Sequence, residues 1–202
     1  MKIFIATANL HKLAELAGIL PFRTAGGGEI TYDNVMDYPG FVMPEENADT
    51  LAANARLKAL AGAQQTGLIS ISDDTGLFVD ALGGAPNVHT ARYAGPHATS
   101  EDNNKKLLAA LQNVPPAKRT ARFCTVACAA FPDGKTYCFE GVAEGQIATE
   151  YHGVNGFGYD PVFIVRETQK AFAEMSEAEK NKLSHRGRAF RKLAEFLKKL
   201  PA

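Results

Sequence analysis

What this 202-residue chain lacks narrows its chemistry before any motif is read. It has no net charge, with 22 Lys and Arg against 22 Asp and Glu, and so no basic footprint for gripping a nucleic-acid backbone. An anionic ligand must be small and held by locally placed cations. No stretch reaches the ~18 apolar residues of a membrane span, and the apolar start from Met1 to Ala6 is too short for a signal peptide. The expectation is a cytoplasmic protein with neither a membrane nor a nucleic-acid partner. Three cysteines, Cys124, Cys128 and Cys138, show no C-x-x-C spacing; they read as buried small hydrophobes in a reducing compartment. His11, His89, His97 and His152 share no metal-ligand spacing. No Walker-type glycine loop occurs, so phosphate binding here cannot use a P-loop. There is no internal repeat and no linker. Residues 1–202 read as one domain, long enough for a real core.

What is present alternates strand and helix patterns early and forms hairpins late. Lys2 to Thr7 reads as a first strand, and Asn9 caps a helix with Leu13, Leu16, Ala17 and Leu20 at helical spacing. Ile30 to Val35 is a second strand, and Glu45 to Thr50 leads into an Ala-rich helix reaching about Gln65. Leu68 to Ser72 reads as a buried strand that ends at Ser72, with a glycine-rich loop beyond it at Gly76, Gly83 and Gly84. A helix starts at Thr99 to Asp102. Arg122 to Phe131 and Lys135 to Ala143 form a hairpin about Pro132-Asp133-Gly134. Short strands follow at Gly145 to Thr149 and Pro161 to Val165. Ser176 and Glu179 make a capping box, and Ala189, Phe190, Leu193, Phe196 and Leu197 stripe a final helix. The pattern predicts a mixed sheet flanked by helices.

Five constellations carry chemistry. Asp73 and Asp74 at a strand end, beside glycines, suit a divalent cation and phosphate chemistry; a solvated Asp-Asp turn is the plain alternative. Thr7, Ala8, Asn9, Leu10, His11 and Lys12 join strand to helix, where main-chain N–H groups, an amide and an ammonium offer a phosphate site. Glu45 and Glu46 precede a helix, which their charge favours without any function, yet with Asp74 they are candidate magnesium ligands; Lys58 belongs to the same set. Phe157, Gly158, Tyr159 and Asp160 combine rings, flexible backbone and a carboxylate on which a purine could stack and be read. Lys180, His185 and Arg186 add donors for carbonyl or phosphate oxygens.

In this order, the segments resemble the inosine triphosphate pyrophosphatase family. The resemblance rests on Thr7-x-Asn9-x-x-Lys12, Asn54-Ala55-x-x-Lys58-Ala59, Ser72-Asp73-Asp74-Thr75-Gly76-Leu77 and Ala81 to Pro86. It continues through Ala91 to Gly95, Gly156 to Pro161 and Ser184-His185-Arg186, and so spans nearly the whole chain. It implies an α/β fold, an elongated mixed β-sheet flanked by helices with two lobes around a central cleft, and a homodimer. It also implies Mg2+-dependent hydrolysis of ITP, dITP and XTP to the monophosphate and pyrophosphate. Asp74 would be the proton acceptor and a metal ligand with Asp73 in support, Thr75 a substrate contact, and Glu45 the second acidic ligand unless the register selects Glu46. The chain departs from the family in Thr75 and Thr90, each in place of Ser, in Phe78, and in Ala53 in place of a glutamate.

Overall fold

The computed structural model describes residues 1–201. Along the chain run β1 (Lys2–Ile5), α1 (Leu10–Ala17), β2 (Thr31–Asn34), α2 (Leu51–Thr66), β3 (Ile69–Val79), β4 (Pro86–Asn87) and α3 (Ser100–Ala110). They are followed by β5 (Thr120–Ala130), β6 (Thr136–Ile147), β7 (Phe163–Val165), α4 (Glu177–Leu183) and α5 (His185–Lys198). Strand order is β2-β1-β3-β5-β6-β7, with β4 paired to β3. β1 runs parallel to β2 and β3, while β3–β4 and β6–β7 are antiparallel. The sheet is therefore mixed and flanked by helices, as the early alternation and late hairpins require.

The chain divides into two compact units, each discontinuous in sequence. The first comprises Met1–Asp74, Thr125–Gly141 and Arg186–Ala202, the second Thr75–Cys124 and Val142–His185. In the first unit, alternation along the strands sorts side chains onto two faces. Ile3, Ile5 and Ile71 pack with Leu16, Leu20, Phe190 and Leu193, the apolar stripes of the segment around α1 and of α5. Phe4 points the other way, against Tyr38 and Phe41.

α2 presents small residues to the sheet, with Ala55, Ala59 and Ala63 fully buried against Cys128 and Ala130. Small side chains let the helix lie close, and Ser72 Oγ reaches across to donate to the Ala55 carbonyl at 2.5 Å. A Cβ at Gly62 would lie 2.1 Å from Ser70 Oγ and 2.9 Å from the Phe4 ring. Gly62→Ala is therefore expected to lower the thermal midpoint by several degrees, because overpacking costs about 1–3 kcal/mol and outweighs the ~1 kcal/mol helix-propensity gain. Thermal unfolding followed by circular dichroism checks it.

The second unit closes over Leu77, Val79, Leu107, Phe123, Phe163 and Phe172. Thr99 and Asp102 form a reciprocal capping box at the start of α3, as do Ser176 and Glu179 at α4.

Three sequence readings are corrected. The strand expected to end at Ser72 runs on to Val79, so Asp73, Asp74 and Gly76 lie within β3 and not in a loop. Gly76 suits that strand because a Cβ there would meet the Asn87 carbonyl and the Phe78 ring at 2.9 Å. The strand read separately at Gly145–Thr149 is the end of β6, which reaches Ile147. Cys128 and Cys138, read as structural thiols, are joined in a disulfide between the neighbouring strands β5 and β6. The turn between these strands brings residues ten apart in sequence to a Cα–Cα distance of 4.1 Å. The cysteine count therefore no longer argues for a reducing compartment.

Candidate active site

Because successive side chains of a strand point to opposite faces, β3 sends its adjacent carboxylates in opposite directions. Asp73 follows Ile71 to the side of α1 and α5, and Asp74 follows Ser72 to the side of α2. Both are buried, at 2% and 8% exposure.

Asp73 lies in a cationic nest. Its two oxygens accept from Lys12 Nζ at 3.0 and 3.1 Å, and Oδ2 also accepts from Arg186 Nε at 3.3 Å. Arg186, buried on the first turn of α5, donates through Nη1 to Glu15 Oε2 at 2.5 Å. Burial alone would raise the Asp73 pKa, but Lys12, Arg186 and Lys58 together hold the carboxyl well below the usual carboxylate range. Burial has the opposite consequence for Lys12, whose ammonium is pushed down despite Asp73, with Arg186 and Lys58 adding to the effect. Glu15 escaped the sequence reading. Its spacing of three from Lys12 on α1, which puts both on one helical face, was the available signal.

Asp74 has a weaker cationic environment. Its Oδ2 accepts from Asn54 Nδ2 at 3.1 Å, and its Oδ1 lies 3.8 Å from Lys58 Nζ. Lys58 is also 3.0 Å from Glu46 Oε2. Burial raises the Asp74 pKa, opposed by Lys58, while the Glu46 charge raises it further and the Asn54 hydrogen bond lowers it. Of the two glutamates, Glu46 shares this ammonium with Asp74, whereas Glu45 is exposed.

These residues could hold a divalent cation. Two carboxylates already converge on one cation, the Lys58 ammonium. Among the described residues no three His, Cys, Asp or Glu side chains gather into a metal cage. That suits an ion which takes one or two carboxylates and completes its shell with water and phosphate oxygens.

The segment Thr7–Lys12 adopts the local structure of a helix cap. Asn9 Oδ1 accepts from the His11 and Lys12 N–H groups at 3.0 and 3.3 Å, and Thr7 Oγ1 from the Asn9 N–H at 3.2 Å. Thr7 is buried, while Ala8, Asn9, Leu10 and His11 face solvent. The cap thus aims Lys12 at Asp73, and its own side chains already occupy the Asn9, His11 and Lys12 N–H groups.

The remaining candidates lie in the second unit. Thr75, the next residue of β3, opens it. The Asp160 carboxylate clasps its own loop, accepting from the Phe157 N–H at 2.8 Å and from Lys180 Nζ at 2.5 Å. Gly156, at φ 76°, leaves room for that carboxylate, since a Cβ there would be 2.1 Å from Oδ2. Lys180 also stands over the Phe157 ring, 4.6 Å from its centroid. Thr90 and Asn104, neither of them a sequence-based site candidate, brace the loop: Tyr159 Oη donates to the Thr90 carbonyl at 2.9 Å, and Asn104 Nδ2 to the Gly158 carbonyl at 2.8 Å. Burial pushes the Tyr159 phenol up. A pocket of ≈ 630 Å³ opens beside the loop, lined by Phe157, Gly158, Asn104 and Tyr151 among others. His185 is buried with its ring stacked on Phe123 at 4.4 Å.

Known proteins are similar to this chain over nearly its full length. A dITP/XTP pyrophosphatase of Elusimicrobium minutum (strain Pei191) is 50% identical over 198 residues, covering 98% of this chain and 100% of the relative. One from Desulforamulus reducens is 45% identical, covering 99% of this chain and 97% of the relative. Among solved structures, a HAM1 protein from Coxiella burnetii superposes with a TM-score of 0.87 at 37% identity, covering 99% of this chain and all of that one. The Staphylococcus aureus Ham1 protein gives 0.84 at 37% identity, with 98% of each chain covered. The profile of the Ham1 family matches residues 3–196. With that match and these identities, the chain belongs to the Ham1 family.

Proposed function

We propose that this protein hydrolyses non-standard purine nucleoside triphosphates, namely dITP, ITP and XTP, to the monophosphate and pyrophosphate, as a cytoplasmic homodimer that uses Mg2+. The observation that carries the reading is the divided aspartate pair of β3, one carboxylate neutralised by Lys12 and Arg186 and the other set beside Asn54, Lys58 and Glu46. The relatives' names supply the substrate class.

Glu46 and Asp74 would hold Mg2+, which when bound would offset phosphate charge as a Lewis acid. Asp74 accepts the proton of the attacking water or positions that water; unlike Asp73, it is not already held by Lys12 and Arg186. Lys12 and Lys58 stabilise phosphate charge beside the aspartate pair, and Lys180 is the candidate cation of the second unit. Asp73 serves this indirectly by holding Lys12 and Arg186 in place. Phe157 offers a ring face to the base, with Gly158, Tyr159 and Asp160 shaping the loop around it.

Base choice follows from donors and acceptors. Hypoxanthine and xanthine present an oxygen at C6, adenine an amino group. A donor from His185 or Arg186 pairs with the oxygen and opposes the amino group. An unpaired donor in a closed site costs about 1–3 kcal/mol, on the order of tenfold to a hundredfold in rate. Turnover of dITP and XTP is therefore expected to exceed that of dATP by about that factor. Pyrophosphate release from a panel of dITP, XTP, dGTP and dATP with Mg2+ checks this. Equal rates on all four would overturn the assignment of base selection, and no release from any would overturn the enzymatic reading.

A further inference from the structure

We propose that Asn54 is a positioning residue that ties the acidic segment to the Asp74 carboxylate, so that Glu46 and Asp74 are set by one side chain. This rests on the magnesium-site reading above and extends it to a residue in neither the acid nor the cation set.

Asn54 sits in the first turn of α2, 98% buried. Its Oδ1 accepts from the Ala48 N–H at 3.0 Å. Its Nδ2 donates to the Ala48 carbonyl at 3.3 Å and to Asp74 Oδ2 at 3.1 Å. A carboxamide nitrogen has two protons, and here they serve two different segments. The orientation is self-consistent, since exchanging Oδ1 and Nδ2 would turn an oxygen toward both the Ala48 carbonyl and the Asp74 carboxylate. Ala48 is two residues from Glu46, so the clasp fixes the backbone that carries this acid. Lys58, one turn along α2, holds the Glu46 carboxylate itself at 3.0 Å. Amide and ammonium thus share one helical face opposite Asp74.

A purely structural explanation has less support. The helix start is already capped by Thr50, whose Oγ1 accepts from the Ala53 N–H at 3.2 Å. Asn is a poor helix former in a helix otherwise rich in Ala and Leu, and such local mismatches gather at functional sites. Asn54→Asp retains the shape but loses both donated bonds and adds negative charge beside Asp74, whereas Asn54→Ala removes the clasp altogether.

Loss of residues that orient metal ligands commonly costs about 10–100-fold in metal affinity or activity. Mn2+ is the probe, titrated by electron paramagnetic resonance into the nucleotide-free protein. Asn54→Ala is expected to weaken Mn2+ by that factor and to lower kcat for dITP with Mg2+ comparably, leaving KM within about threefold, and Asn54→Asp to lower kcat likewise. Because a buried substitution can impair folding, a second measurement uses the wild-type chain. The Asn54 side-chain N–H resonances are expected to shift on adding Mg2+, and that shift to vanish in Asp74→Asn. A folded Asn54→Ala variant that binds Mn2+ within twofold of wild type would overturn the proposal. So would Asn54 resonances indifferent to Mg2+, or a wild-type protein with no Mn2+ affinity. If the wild type binds Mn2+ but does not hydrolyse dITP, the functional reading fails while the metal titrations still decide the role of Asn54.

Discussion

Asp74→Asn is expected to lower kcat for dITP by about 10²–10⁴-fold with the fold intact, the range by which a positioned general base accelerates a reaction. The substitution preserves shape and removes both the charge and the ability to accept a proton. An asparagine at 74 can turn its oxygen toward Asn54 Nδ2, so the buried donor keeps a partner, and Lys58 keeps Glu46. Stability should hold or rise. The fold raises the Asp74 pKa through burial and the Glu46 charge. The charged form is therefore disfavoured in the native state, and a neutral side chain relieves that cost. Pyrophosphate release with Mg2+, paired with a thermal melt, checks both halves. Near wild-type turnover would remove Asp74 from the mechanism, and a collapsed melting point would make the rate uninformative about chemistry.

Asp73→Asn, one residue earlier, is expected to do the reverse to stability and lower it by about 3–5 kcal/mol, as breaking one side of a buried ion pair does. At ~2–4 °C per kcal/mol for a chain of this size, the midpoint falls by roughly 6–20 °C. Lys12 loses its carboxylate and Arg186 one of its two. The pH dependence has a definite sign. Asp73 is depressed from its ordinary 3.8, so its contribution is fully present above that value. It is lost as pH falls through the lower folded value. The gap between wild type and Asp73→Asn should thus be constant from pH 5 to pH 8, as an order-of-magnitude window, and shrink below about pH 4. Thermal melts across that range test it; a gap that widened in acid would refute the ion-pair account.

The opposite expected effects of two adjacent aspartates show how much of the site was legible in the chain and how much was not. Lys12, Lys58, Asp74, Phe157 and Lys180 stood out because each chemistry-bearing side chain sits in a short local pattern, a helix start, a glycine-rich turn or a capping box. Asn54 was visible in a motif but without a role, because its meaning lies in bonds to Ala48 and Asp74 across a helix start and a strand. Glu15 looked like an ordinary polar position on α1 until Arg186, 171 residues away, proved to be its partner. Reading β3 as ending at Ser72 hid the division of the carboxylates. A turn has no alternation of faces, whereas a strand running to Val79 imposes one. The cross-strand disulfide escaped for a different reason: the hairpin was legible, but which residues of β5 and β6 face each other depends on their register.

By itself the sequence determined the α/β class, the helix caps, the hairpin turn and the ordered set of segments that marks the family. These follow from local propensity, capping chemistry and hydrophobic period, all of which act within a few residues. The tertiary structure alone decided which cation each aspartate meets, that Glu46 and not Glu45 shares Lys58 with Asp74, and that Asn54 joins the two acidic segments. Electrostatic partnership depends on distance and burial in space, and the chain encodes these only through the packing of the whole.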